Sequence, residues 1–214
     1  MDQLAQLLDF FLHLDRHLQH LIEAYGLWTY LILAAIVFCE TGLVITPFLP
    51  GDSLLFAAGA FCATGALQLE IVIPLLAAAA ILGDAANYAV GYFFGPTLVH
   101  AHRVRFIRQQ HLDRTHQFFE KYGGKTIVMA RFVPIVRTLA PFVAGFGSMS
   151  YLRFSAYNVT GGILWVVLCT LGGYFFGNLP FVRDNFSLVI LAIIVISILP
   201  GVFEWWRLRR QRSA

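Results

Sequence analysis

Five ionisable residues lie inside stretches of the chain that are otherwise apolar. They are three acids and two arginines: Glu40, Asp52, Asp84, Arg131 and Arg137. Ionisable side chains within a membrane are expensive, and they usually face a cavity, pair with one another and serve function. Because the acids lie in the first half of the chain and the arginines in the second, we expect the fold to bring opposite charges together near the centre of the membrane.

The two signs of charge suggest two different tasks. Arginine is a permanent cation whose planar guanidinium binds phosphate through two parallel hydrogen bonds, so Arg131 and Arg137 are candidates for holding an anionic phosphate group. Burial raises the proton affinity of a carboxylate and a nearby arginine lowers it, which suits a group that takes up and releases a proton. Glu40 and Asp52 are therefore candidates for proton coupling.

Structural alternatives remain open for these charges. Asp84 is a third candidate for proton coupling, and a polar contact with Asn87 or a neighbouring helix explains it equally well. A buried ion-pair cluster that only fixes the fold is a further alternative, although such pairs are expensive to bury and often add little net stability.

The composition places the chain in a membrane. Of 214 residues, 58% are hydrophobic and 13% charged, whereas about a quarter of the residues in a soluble domain are charged. A net charge of +3 does not suit nucleic-acid binding. The chain has no G-x-S-x-G, H-E-x-x-H or P-loop motif, so we expect no enzymatic activity and no cofactor. His13, His17 and His20 share one helix face, but nothing completes a metal site with them.

The hydropathy pattern predicts an all-α membrane protein with about four spanning helices. The apolar runs long enough to cross about 30 Å of hydrocarbon are 27–45, 70–94 (ending at Gly95-Pro96), 151–176 and 186–206. Two shorter apolar segments, about 47–65 and 126–147, are interrupted by helix-breaking residues, and we expect both to be re-entrant hairpins. The predicted breaks are Pro47, Pro50, Gly51, Pro134, Pro141 and Gly145. Asp52 then lies where the cap of a short helix belongs.

The remaining segments predict the domain organisation and the topology. Residues 1–25 form an amphipathic helix at the membrane interface, and 26–214 form a single membrane domain. The basic segment 100–125 and the arginine-rich C-terminal tail are expected on the cytoplasmic side, since short basic loops stay there. Two crossings separate them, so the two hairpins enter from opposite faces and point at each other.

A short internal repeat supports this arrangement. The sequence Gly-Tyr-Phe-Phe-Gly occurs at 91–95 and again at 173–177, each time at the end of a span that follows a proline-broken segment. The matched order predicts an inverted repeat of the kind found in transporters, whose broken helices hold the substrate near the membrane midplane.

Two motifs resemble those of the DedA family of bacterial inner-membrane proteins. Glu40 together with Pro-Phe-Leu-Pro-Gly-Asp at 47–52 resembles the acidic motif of that family. Arg-Phe-Val-Pro-Ile-Val-Arg at 131–137, followed by Gly145, resembles its R-x-x-P-x-x-R motif. One departure is Tyr92, where family members commonly carry an arginine.

The resemblance implies two opposed re-entrant hairpins, a fold shared with distant eukaryotic lipid scramblases. It also implies a role in envelope integrity linked to protons or to the membrane potential. For some family members it implies the return of undecaprenyl phosphate across the inner membrane. By position, the family's functional acids fall on Glu40 and Asp52 and its functional arginines on Arg131 and Arg137.

We therefore expect a proton-linked transporter that moves a phosphate-bearing lipid between the leaflets of the bacterial inner membrane. Its partners would be lipids with anionic phosphate head groups, together with protons, and assembly into a homo-oligomer is left open. A proton-coupled antiporter of small cations, a phospholipid scramblase and a non-transporting scaffold are the alternatives.

Overall fold

The computed structural model describes residues 20, 22, 24–43, 51–100, 124–147, 149–186 and 188–193, with the backbone alone at 95–100, 134–135 and 183–184. These residues are mainly helical and contain no β-strand, in agreement with the predicted fold class. Residues 188–193 are helical as well. The helices run in the order α1 (Trp28–Gly42), α2 (Gly51–Ala63), α3 (Leu69–His100), α4 (Lys125–Ala130), α5 (Pro134–Phe146), α6 (Tyr151–Phe176) and α7 (Pro180–Asp184).

Among the residues that the structure describes, two helices are long and apolar enough to cross a membrane. Leu69–Phe94 of α3 and Tyr151–Phe176 of α6 contain 26 residues each, and a span needs about 20 residues. Both coincide with predicted spans. The first predicted span is described only as the 15 residues of α1, and most of the fourth lies outside the described residues.

Large apolar side chains are exposed along these helices. Phe93 on α3 is 70% exposed, and Leu152 and Phe175 on α6 are 84% and 65% exposed. A soluble protein rarely exposes large contiguous apolar patches, whereas lipid covers such side chains at no cost. The surface therefore agrees with the composition in placing these helices in a membrane.

The second apolar span ends at Phe94, as predicted, but Gly95-Pro96 does not end the helix that contains it. The backbone of α3 remains helical through both residues to His100. A proline removes one bond from the helical ladder, and a membrane helix compensates for that loss by local adjustment.

The second proline-broken segment is interrupted at one point. Residues 131–133 form a turn between α4 and α5, and Val133 has extended backbone angles, φ −123° and ψ 105°. This is the conformation that a following proline imposes, so Pro134 breaks the chain as predicted and then begins α5. Pro141 and Gly145 do not break it, contrary to the prediction, because α5 continues through both.

The first proline-broken segment is described only from Gly51, the first residue of α2. Pro47 and Pro50 lie outside the described residues. Asp52 is in the first turn of α2 and not at the cap position predicted for it. With 13 residues, α2 is about 20 Å long, too short to span a membrane by itself.

The chain forms two compact units. Unit 1 comprises Met1–Ile36, Phe48–Ala77 and Trp165–Ala214, and unit 2 comprises Val37–Pro47 and Ala78–Leu164. The helices α3 and α6 each contribute residues to both units. The described core of unit 1 includes Leu33, Leu55, Val72, Trp165 and Ile190. The core of unit 2 is formed by Tyr88, Ile127, Ala130, Ala140, Ala144, Met149 and Phe154.

In unit 1, α2 packs against the C-terminal half of α6 through two glycines. A Cβ atom at Gly59 would overlap the carbonyl oxygen of Thr170, and one at Gly173 would overlap the carbonyl oxygen of Phe56. The two backbones therefore approach so closely that neither position accepts a side chain.

Unit 2 contains the same contact between a different pair of helices. A Cβ atom at Gly145 of α5 would overlap the carbonyl oxygen of Tyr88, and one at Gly91 of α3 would overlap that of Phe142. Gly91 and Gly173 are the first glycines of the two Gly-Tyr-Phe-Phe-Gly segments. The sequence repeat thus corresponds to the same type of helix packing in each unit.

This packing predicts different effects for two neighbouring glycines. We expect Gly173→Ala to destabilise the protein by about 1 to 3 kcal/mol, since overpacking forces the backbones apart. Gly172→Ala is the matched control, because a Cβ there meets only Phe56 Cδ2, at 3.9 Å. Thermal unfolding in detergent measures both variants, and equal transition temperatures would contradict the close contact.

Candidate functional site

Arg131, in the turn after α4, forms a buried ion pair with Asp84 of α3. Its Nη2 atom donates hydrogen bonds to Asp84 Oδ2 and to Asn158 Oδ1 of α6. The Arg131 and Asp84 side chains are each 1% exposed. The guanidinium charge is thus neutralised inside unit 2 by an acid from a different helix.

Residues of α6 make room for this arginine and orient its partner. A Cβ atom at Gly161 would lie 3.2 Å from Arg131 Cδ, and one at Gly162 would lie 3.3 Å from Nη2, so a side chain at either position would crowd the arginine. Asn158 Nδ2 donates to the carbonyl oxygen of Ile81 at 3.0 Å. That bond fixes the Asn158 amide so that its oxygen faces the arginine.

Arg137 of α5 forms the second buried ion pair of unit 2, with Glu40 of α1. Its Nη2 atom donates to Glu40 Oε1, and the two side chains are 3% and 1% exposed. Pro134 begins α5 and sets its start, while the final turn of α1 carries Glu40. Four of the five charged residues identified in the sequence therefore form two ion pairs, each with no net charge.

Asp52 is located in unit 1. Its Oδ1 atom accepts a hydrogen bond from Trp165 Nε1 at 2.7 Å, and Trp165 is 1% exposed. The structure thus brings Glu40 and Asp84 to the arginines, while the contact described for Asp52 is with an indole in the other unit.

The pairs leave part of one guanidinium available. Among the residues that the structure describes, Nε and Nη1 of Arg131 have no hydrogen-bond partner, although both are buried. A guanidinium carries five N–H donors, so Arg131 retains capacity for a further acceptor. This donor set suits an oxyanion.

Several residues of the site were not predicted from the sequence. All of them lie on α6: Asn158, Gly161, Gly162 and Trp165. The sequence did contain a signal for Asn158, because an amide side chain is also costly in a membrane helix. Asn87 was one of the polar contacts considered for Asp84. Its Nδ2 atom instead donates to the carbonyl oxygens of Thr41 and Thr138.

Within the described part of the chain, no cluster of three or more His, Cys, Asp or Glu side chains could hold a metal ion. Several predicted features lie outside the described residues. They are His13 and His17, the N-terminal amphipathic helix except for a few residues at its end, most of the basic segment 100–125, and the C-terminal tail.

The chain is similar to proteins of known family. The model of the VTT domain matches residues 49–175, which include α2, the R-x-x-P-x-x-R motif, α3 and all of α6 except its last residue. Protein DedA of Escherichia coli is 57% identical over 98% of this chain and 97% of its own length. An uncharacterized membrane protein of Mycobacterium leprae is 42% identical over 83% of this chain and 80% of its own.

A third relative, inner membrane protein YqjA of Escherichia coli, is 37% identical over 71% of this chain and 69% of its own length. No solved structure matches the chain. The match of the VTT domain to more than half of the chain, and the near full-length identity to Protein DedA, show that this chain is a membrane protein of the DedA family.

Proposed function

We propose that this protein moves a lipid with a phosphate head group between the leaflets of the bacterial inner membrane, and that this movement is linked to protons. The observation that carries this proposal is the pair of buried arginines, each neutralised by one carboxylate. A guanidinium that binds a carboxylate also binds a phosphate, because both ligands present oxygens at matching spacing. Undecaprenyl phosphate is the lipid suggested by the resemblance to the family.

The ion pairs link phosphate binding to proton uptake. If a phosphate displaces Glu40 from Arg137, or Asp84 from Arg131, the carboxylate becomes a buried charge without its counter-ion. Such a loss typically destabilises a protein by about 3 to 5 kcal/mol. Protonation removes the charge, so phosphate binds more readily when the acid takes up a proton. By thermodynamic reciprocity, bound phosphate promotes proton uptake to the same extent.

Asp52 is the candidate for a second proton site. It lies in the first turn of α2, half-buried, and its Oδ1 atom accepts a hydrogen bond from the indole N–H of Trp165. The two arginines belong to unit 2, whereas Asp52 belongs to unit 1. Both units contain a close helix contact at glycines, and this similarity favours an inverted repeat.

The helix lengths support the proposed membrane topology. At 13 residues each, α2 and α5 reach about 20 Å, which is part of the way through the hydrocarbon core. We take both to be the re-entrant helices of the two hairpins. The basic segment 100–125 and the C-terminal tail then lie on the cytoplasmic side.

A neutral replacement of one ion pair separates transport from folding. The double variant Glu40→Gln/Arg137→Gln removes both charges together, so it avoids a lone buried charge and is expected to fold. In liposomes we expect it to move a fluorescent polyprenyl phosphate at least about tenfold more slowly, since the loss of one charge-assisted bond is worth 1.4 kcal/mol or more. Arg153→Gln is the control, because Arg153 is an exposed arginine on α6.

Unchanged lipid movement in the folded double variant would instead support a scaffold whose charges are structural. Flux of a small cation under a pH gradient, without lipid movement in either protein, would support the cation antiporter.

Proton linkage is tested with Glu40→Gln alone. Glutamine resembles the protonated carboxyl, so Arg137 keeps its ability to bind phosphate while Glu40 can no longer exchange a proton. We expect lipid movement in this variant to lose its response to an imposed pH gradient, with Glu70→Gln, at an exposed position, as the matched control. A gradient response equal to that of the wild type would exclude Glu40 as the coupling acid.

Asp52 is tested by the fluorescence of its indole partner. In a protein with Trp165 as the single tryptophan, we expect Asp52→Asn to shift the indole emission, because the carboxyl acceptor of the N–H is replaced by an amide. An unchanged emission spectrum would contradict the hydrogen bond.

A further inference from the structure

We propose that Asn87 is a positioning residue that keeps the backbones of Glu40 and Arg137 in fixed relative positions. The ion pair can then re-form each time phosphate leaves Arg137. The proposal rests on the function proposed above, in which this pair opens to admit phosphate. It assigns a task to a buried side chain of α3 that bonds to both backbones carrying the pair.

The geometry is specific to the two partners of the pair. Asn87 Nδ2 donates to the carbonyl oxygen of Thr41 at 3.2 Å and to that of Thr138 at 2.8 Å. Thr41 directly follows Glu40, and Thr138 directly follows Arg137. A single amide group in unit 2 therefore joins the backbones of α1 and α5 beside both members of the ion pair.

The orientation of the amide follows from its partners. Both are carbonyl oxygens, which only accept, and the NH₂ group supplies the two donors that they require. Asn87 is fully buried, and its Oδ1 atom has no partner among the residues that the structure describes. A buried acceptor without a partner is unfavourable, so the presence of an amide here is explained by the two bonds that it donates.

Both backbones lack hydrogen bonds of their own helical ladder beside the ion pair. Thr41 lies one residue before the end of α1, where carbonyls have no donor within the helix. In α5, Pro141 has no N–H to offer the carbonyl of Arg137, four residues earlier. Each segment thus lacks a ladder bond beside the ion pair, and Asn87 joins both segments to α3.

The bonds of Asn87 involve backbone oxygens and leave the charged side chains untouched. In the proposed exchange, the Glu40 and Arg137 side chains separate while these two bonds persist. The backbones then stay in place, and Arg137 is presented to phosphate in a constant geometry. Positioning of this kind acts on the affinity for phosphate more than on the speed of the step that follows.

Transport measured at increasing mole fractions of a fluorescent polyprenyl phosphate provides the first test. We expect Asn87→Ala to raise KM about tenfold, within the range of coupling between contacting groups, and to change kcat far less. Asn87→Asp is expected to behave alike, since a carboxyl donates at most one hydrogen bond. Asn185→Ala is the control, because the Asn185 amide also donates to a backbone carbonyl, that of Phe181 at 3.0 Å.

The same substitution in the Glu40→Gln/Arg137→Gln background shows whether Asn87 acts through the pair. We expect Asn87→Ala to leave KM unchanged there. An equal rise of KM in both backgrounds, or an unchanged KM in the otherwise wild-type protein, would overturn the inference. If wild type and Arg137→Gln move the lipid equally well, it is the proposed function that fails.

A thermal-unfolding cycle tests the positioning without any transport. We expect Glu40→Gln to lower the Tm of the otherwise wild-type protein and to lower it much less in the Asn87→Ala background, because the pair is then already misplaced. Equal Tm losses in the two backgrounds would overturn the inference even for a protein that moves no lipid.

Discussion

The fold of unit 2 is governed by the need to neutralise two guanidinium groups in an apolar interior. Arg131 and Arg137 are at most 3% exposed, and a lone charge at that depth would be prohibitively unfavourable. Each is matched by a carboxylate from another helix. The pairs therefore fix which helices meet. They tie α1 to α5 and the turn after α4 to α3, and the glycines of α6 shape the space that Arg131 fills.

One face of α3 organises this arrangement. Gly83, Asp84, Asn87, Tyr88 and Gly91 recur at the spacing of a single helix face. Gly83 allows α1 to approach, Asp84 binds an arginine, Asn87 bonds to two backbones, and Gly91 admits α5. Tyr88 donates to the carbonyl oxygen of Met149. Polar groups and the smallest residues share this face because both make close contacts with neighbouring helices. Positions that face lipid accept any large apolar side chain.

The sequence predicted the parts of the site that follow from composition and local chemistry. The five charges within apolar segments, the break before Pro134 and the two long spans needed no knowledge of tertiary contacts. The sequence could not predict which acid pairs with which arginine, because Arg131 and Asp84 are 47 residues apart and Arg137 and Glu40 are 97 residues apart. Pro141 was misjudged, since a single proline in a packed helix removes only one bond. Asp52 was grouped with the arginines by charge alone, whereas the contact that the structure describes for it is with the neutral indole of Trp165.

The exchange of a carboxylate for a phosphate on the same arginine is the central claim. It is tested most directly by electron cryomicroscopy of the protein in nanodiscs that contain a polyprenyl phosphate. We expect density for the phosphate within hydrogen-bond distance of Arg131 or Arg137, with Asp84 or Glu40 displaced from that arginine. Both ion pairs intact at saturating lipid, with no phosphate density beside either guanidinium, would contradict it.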